Sequence, residues 1–103
     1  MELEHHIEGA TGTVVLHGIF NFAAHSEIKA VVYPLLDEPN LKEVCLDLSD
    51  VSYLDSSALG LLLVFKEIGA PKGKTLSIRN PLPAVMKILK IVKFETLFQI
   101  ITA

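Results

Sequence analysis

The segment Val51-Ser52-Tyr53-Leu54-Asp55-Ser56-Ser57-Ala58-Leu59-Gly60 sets a carboxylate beside two hydroxyls, just ahead of an aliphatic run. Two kinds of chemistry use such a cluster. Side-chain oxygens of Asp and Ser accept from the free amides at the start of a helix, so Asp55, Ser56 and Ser57 are each competent caps. An accessible serine hydroxyl in the same place is also a phosphate acceptor, and the modification adds up to about two negative charges at neutral pH. Capping serines are far commoner than switch serines, so the residues that follow have to separate the two uses.

An ideal helix from Ser56 advances about 100° per residue. On that wheel Ala58, Leu61, Leu62, Phe65 and Ile68 share one arc, which is the core face. Ser56, Gly60 and Glu67 fall on the opposite arc, with Leu59, Leu63 and Val64 on the same outward side. A purely solvated face has no need of three aliphatics around a glycine. Either neighbouring elements cover them, or they form a small apolar partner site beside the serine. Ser57 falls at the edge of the outward arc, turned toward the core. Ser56 is therefore the hydroxyl that a kinase reaches, with Ser57 as runner-up. A helix N-terminus accommodates a phosphate electrostatically, although Asp55 repels it. A partner burying the patch does not, because an unpaired dianion in an interface costs on the order of several kcal/mol.

The elements that position this cluster follow from periodicity and breakers. Residues 13–16 are β-branched and aliphatic and read as a strand, with Gly18 close behind. Residues 22–36 read as a helix, with Phe22, Ile28, Val31, Val32 and Leu35 near helical spacing, and Pro39 and Asn40 break it. Residues 43–48 read as a buried strand centred on Val44, Cys45 and Leu46, and residues 50–54 as a connection. Asp55 opens a second helix that runs to about Ile68, and Gly69, Pro71 and Gly73 end it. A strand over 74–78, a third helix over 84–92 behind Pro81 and Pro83, and a last strand over 97–101 complete the chain. Residues before Gly9 add a weak edge strand. This alternation implies an α/β domain with a largely parallel, twisted sheet.

With 103 residues, half of them hydrophobic, the chain builds one core and not two. The formal charge of -3 excludes a large basic field for nucleic acid or an acidic membrane. A single cysteine, Cys45, forms no internal disulfide and suits a reducing compartment. The acidic, His-bearing N-terminus lacks the pattern of a secretory signal. No apolar run approaches the roughly 20 residues of a membrane span. A soluble, cytoplasmic protein without membrane insertion is expected.

Around Asp50-Val51-Ser52-Tyr53-Leu54-Asp55-Ser56-Ser57-Ala58-Leu59-Gly60 the chain resembles STAS domains, specifically the bacterial anti-sigma factor antagonists, whose phosphorylation motif reads Asp-Ser-Ser/Thr-x-Leu-Gly. Leu16-His17-Gly18, Asn80-Pro81 and residues 94–101 add weaker support, and the likeness covers nearly the whole chain. The resemblance implies one domain over residues 1–103, a small mixed, mostly parallel sheet with helices packed mainly on one face. It implies that a serine kinase, often also the anti-sigma factor, phosphorylates Ser56. The unphosphorylated form then binds the partner, through a surface placed here at Asp55, Ser57, Leu59, Gly60, Leu63, Val64 and Asn21. A metal-dependent serine phosphatase restores that form. One departure stands out: relatives often carry Gly-Glu-Leu/Ile-Asp where this chain has Gly18-Ile19-Phe20-Asn21, so Asn21 replaces an acidic residue near the switch surface. STAS proteins also serve lipid-transport complexes and anion transporters. The competing expectation is therefore a constitutive subunit of such an assembly, with structural serines and no switch.

The remaining candidates carry less. His5-His6 lacks metal ligands at zinc spacing, and His17 and His25 lack Cys or His companions, so no metal or cofactor is expected. Cys45 sits mid-strand without an activating base and reads as a core residue. Asp47, Asp50 and Asp55 invite comparison with a magnesium site but have no second acidic cluster. Lys87, Lys90 and Lys93, at steps of three, read as the wet side of a helix or as a contact for an acidic partner. No catalytic constellation is present, so a non-enzymatic binding module is expected.

Overall fold

The computed structural model describes residues 1–102. Alternation sets the centre of the sheet. In strand β3 (Glu43–Leu54), Val44, Leu46 and Leu48 point one way and are fully buried in the core. Cys45 lies on the other face, flanked in register by Thr13 of β2 (Thr11–Phe20) and Ser77 of β4 (Thr75–Arg79). With β1 (Glu2–Glu8) and β5 (Gln99–Ile101) these strands form one five-stranded sheet in the order β1-β2-β3-β4-β5. β1 pairs antiparallel with β2 across a tight turn, where Gly9 takes φ 60°. The other three pairings are parallel.

Helices α1 (His25–Asp37), α2 (Ser56–Gly69) and α3 (Pro83–Ile91) make the crossovers. Ile28, Val32 and Leu36 of α1, Leu62 and Phe65 of α2, and Val85 and Leu89 of α3 join the same core as Val44, Leu46 and Leu48. The helices therefore pack on one face of a mostly parallel sheet, as expected.

Several boundaries differ from the sequence reading. β3 does not stop at Leu48; it runs to Leu54, so residues 50–54 are strand and no connection precedes Asp55. Past Leu48 the buried positions are Val51 and Leu54, every third residue, because the pairing of β2 with β3 slips between Val15 and His17 and again between Gly18 and Ile19. A period-two reading ends where those bulges begin. Gly18, at φ 105°, sits at the second slip, in a region that side chains avoid. β2 likewise extends to Phe20. Phe22 is not a core residue. It lies on a 3-10 turn (Phe22–Ala24) ahead of α1, out of phase with the helix, and is 74% exposed. Ile68 is half-buried, and Gly69 takes the buried position at the end of α2. Lys74 precedes β4, and its buried Nζ donates to the carbonyls of Glu38 at 2.6 Å and Leu41 at 2.8 Å, anchoring the loop after α1.

β1 is a regular strand along its seven residues. A cross-strand cluster helps hold it. His17 of β2 places Nδ1 2.6 Å from Asp50 Oδ2 on β3 and Nε2 2.7 Å from Glu4 Oε2 on β1. Both bonds form together when the imidazolium donates from both nitrogens. They raise the His17 pKa to about 9, the bond to Asp50 leading and that to Glu4 next.

Candidate functional site at the start of helix α2

Asp55 closes β3 and caps α2. Its backbone is extended at φ -101°, and Oδ1 accepts from the Ala58 N–H at 2.9 Å and from the Ser57 hydroxyl at 2.6 Å. The Phe22 backbone N–H also helps to lower the pKa of this carboxylate, while the Asp55 N–H donates to the Phe20 carbonyl at 3.3 Å. Asp55 thus ties the start of α2 to the end of β2. The Ser57 hydroxyl first, then the Ala58 amide, pull its pKa below the ordinary value, so the carboxylate stays charged.

The two serines have different surroundings. Ser57 is half-buried with its hydroxyl committed to Asp55. Ser56, the first residue of α2, is exposed, and its hydroxyl has no partner among the described residues. One turn on, Gly60 is exposed, and a Cβ built there meets no atom within 4 Å. Val64, one turn further, is exposed as well. Leu59 and Leu63 are half-buried and pack on the core, so the outward aliphatic surface of α2 is narrower than its helical wheel suggests. Asn21 is half-buried between β2 and the 3-10 turn, and its carbonyl accepts from Ala24. It follows directly on Phe20, which bonds Asp55.

Sequence reasoning missed three exposed apolar residues that flank these segments in the chain. Ile19 and Tyr53 are paired across β2 and β3, and both are more than half exposed. Tyr53 lies two residues before the cap. Phe22, close behind Ile19 in the chain, is also exposed and packs on the His25 ring at 5.2 Å. The His25 Nε2 atom is buried without a hydrogen-bond partner among the described residues. The signal for these residues was present: Ile19 and Phe22 stand on either side of Phe20-Asn21, and Tyr53 lies within the motif itself.

The other candidates are accounted for separately. Asp50 is taken by His17, and no group of three or more potential metal ligands occurs among the described residues. Cys45 is buried and desolvation pushes its thiol pKa up, the opposite of an activated nucleophile. Lys87, Lys90 and Lys93 are all exposed. No helix among the described residues is long and apolar enough to cross a membrane.

Comparison with known proteins places the geometry in a family. The family model described as Mlab, STAS domain, matches residues 4–101. A STAS-domain containing protein of Pseudomonas aeruginosa is 36% identical over 93 residues, covering 90% of each chain. The fold is similar to that of the anti-sigma factor antagonist SpoIIAA in its unphosphorylated form, with a TM-score of 0.83 at 18% identity, covering 99% of this chain and 88% of that one. It is also similar to part of the murine anion transporter Slc26a9, with a TM-score of 0.72 at 16% identity, covering 82% of this chain and 14% of that one. The protein that carries the Asp55-Ser56-Ser57 helix start belongs to the STAS domain family.

Proposed function

We propose that this chain is a non-enzymatic binding module gated by phosphorylation of Ser56. The observation that carries the reading is the contrast between the serines: Ser57 spends its hydroxyl on Asp55, whereas Ser56 offers a free, exposed hydroxyl at the first position of α2. Unmodified, Ser56 belongs to a docking surface that continues along Gly60 and Val64 and across to Phe22, Ile19 and Tyr53. Asp55, Ser57 and Asn21 hold that surface in shape, with Leu59 and Leu63 at its margin. A phosphate on Ser56 places a dianion beside the Asp55 carboxylate and in the centre of this surface. The open end of the helix accommodates it without refolding the domain. A partner cannot bury it without a compensating cation, so binding is lost. The partner is a serine kinase of the anti-sigma type, and a metal-dependent serine phosphatase reverses the modification.

The test is phosphopeptide mapping after reaction with the serine kinase of the same organism that the chain captures, with Ser56→Ala and Ser56→Asp forms assayed for capture. Phosphate on Ser56, persistent capture by Ser56→Ala and weak capture by Ser56→Asp support the switch. Phosphate on Ser57 alone overturns the assignment.

The likeness to part of a transporter favours a second reading, a constitutive STAS subunit of a transport assembly. Under that reading the Ser56→Asp form enters the assembly as well as the unmodified chain.

A further inference from the structure

The outward side of α3 is an open, shallow surface, apolar at its centre and basic at its edges. A groove of about 500 Å³ runs along the helix, lined by Pro83, Met86, Lys87, Lys90 and Ile91. All five residues belong to α3, so this is a shallow depression along one helix face. Ile91 is 70% exposed, on the side of the helix away from the fully buried Val85 and Leu89. Lys87 and Lys90 pair with no carboxylate among the described residues, and between Arg79 and Glu95 the chain carries three lysines and no acidic residue. This local excess of positive charge stands out in a chain of net charge -3.

We propose that this groove is a second docking site, which takes an acidic amphipathic helix of a partner protein. An aliphatic side chain of that helix seats between Met86 and Ile91, and two of its carboxylates face Lys87 and Lys90. Lysines three apart on a helix lie about 5–6 Å from one another, the spacing that carboxylates at i and i+3 or i+4 reproduce on a facing helix. A bilayer surface fits less well, because a helix lying on lipid presents its broad convex apolar face, and in α3 that face is committed to the core. A second copy of this chain fits less well too, since none of its three helices carries two carboxylates at that spacing. None of the groove residues belongs to the surface around Ser56, so the two sites are testable apart.

The probe is a fluorescein-labelled helical peptide of Leu and Glu in amphipathic order, with a control in which every Glu is Gln, titrated into the full chain. We expect the Glu peptide to shift the amide resonances of Met86, Lys87, Lys90 and Ile91. Combined Lys87→Glu and Lys90→Glu, or Ile91→Ser alone, should raise its dissociation constant at least tenfold, and 0.5 M NaCl should weaken it. Circular dichroism and thermal unfolding verify that the variants, all at exposed positions, stay folded. Ser56→Asp should leave the affinity unchanged. Equal binding of the Gln control, or shifts centred elsewhere, overturns the proposal. So does lysine-dependent retention on phosphatidylglycerol vesicles without peptide binding, which would make the groove a membrane contact. A dimer in sedimentation equilibrium that Ile91→Ser dissolves would make it a self-interface and equally overturn it.

Discussion

Gly60 stands in the interior of α2, where a glycine costs helix stability, and nothing in the fold requires it. It is exposed, and an added Cβ meets no atom within 4 Å. Replacement by alanine should therefore stabilise the isolated chain by about 0.5–1 kcal/mol through backbone entropy and helix propensity. For a domain near 100 residues this corresponds to a rise in Tm of about 2–8 °C. Gly69 supplies the internal control. It lies at the end of the same helix, but its Cβ would approach Leu76 Cδ2 at 3.0 Å and Leu36 Cδ2 at 3.3 Å, so part or all of the propensity gain is lost to crowding. Thermal unfolding of the two variants against the unmodified chain reads the difference directly. If Gly60 is kept bare so that a partner can approach the helix beside Ser56, the stabilised Gly60→Ala chain should also capture that partner less well. A Gly60→Ala chain no more stable than the original, or one that gains stability and binds undiminished, refutes the reasoning.

The His17 cluster predicts a base-side loss of stability. A pKa raised from 6.5 to about 9 contributes fully below pH 6.5 and is lost as the pH rises through 9. Urea titrations across that window should show the decline, His17→Gln should remove it, and amide exchange in β1 should quicken in the variant. Asp55 gives the opposite sign. Its lowered pKa contributes above the ordinary 3.8 and is lost as the pH falls through the folded value. Ser57→Ala should raise the Asp55 pKa in an NMR titration, and should cost about 0.5–1.5 kcal/mol for the lost hydrogen bond. An unchanged Asp55 titration would mean that the Ser57 hydroxyl is not its partner in solution. Phe22→Ala should leave Tm within about 2 °C, since the ring is largely exposed, while weakening capture of the partner at the Ser56 surface. Leu63→Glu is the contrasting case: its half-buried side chain packs on the core, so it should lower Tm as well as binding.

How far the chain could be read in advance depended on whether one periodicity held throughout an element. In α2 the helical wheel placed Ala58, Leu61, Leu62 and Phe65 inside and Ser56 and Gly60 outside, as in the structure. It failed for Leu59 and Leu63, because a wheel gives direction and not the height of neighbouring elements. β3 was legible to Leu48 and illegible beyond, where two slips against β2 change the burial spacing from two residues to three. Bulges arise from the pairing of two strands distant in sequence, so no window along one strand discloses them. The same limit hid His17. Its partners, Glu4 and Asp50, lie on different strands, and only the register of β1 with β2 and of β2 with β3 brings them together.

That limit also explains why the motif was found and its surroundings were not. Asp55, Ser56, Ser57 and Gly60 are contiguous, and their roles follow from a local helix start. Ile19 and Tyr53 come opposite one another only because both bulged strands extend past the expected stop, and the Asp55 amide bonds back to the Phe20 carbonyl. The bulges thus have a consequence for the site. They carry β2 and β3 on to Phe20 and Leu54, where the Asp55 amide joins the end of β2 to the helix that bears Ser56. A charge added at Ser56 acts on Asp55 first, and then on Phe22 and His25, whose rings lie 5.2 Å apart and whose groups already influence that carboxylate. Backbone shifts of the Ser56→Asp chain should accordingly concentrate in residues 20–25 and 53–60. Shifts of equal size through β4, β5 and α3 would mean that the modification moves the whole sheet, and that local charge at the docking surface is not the means of control.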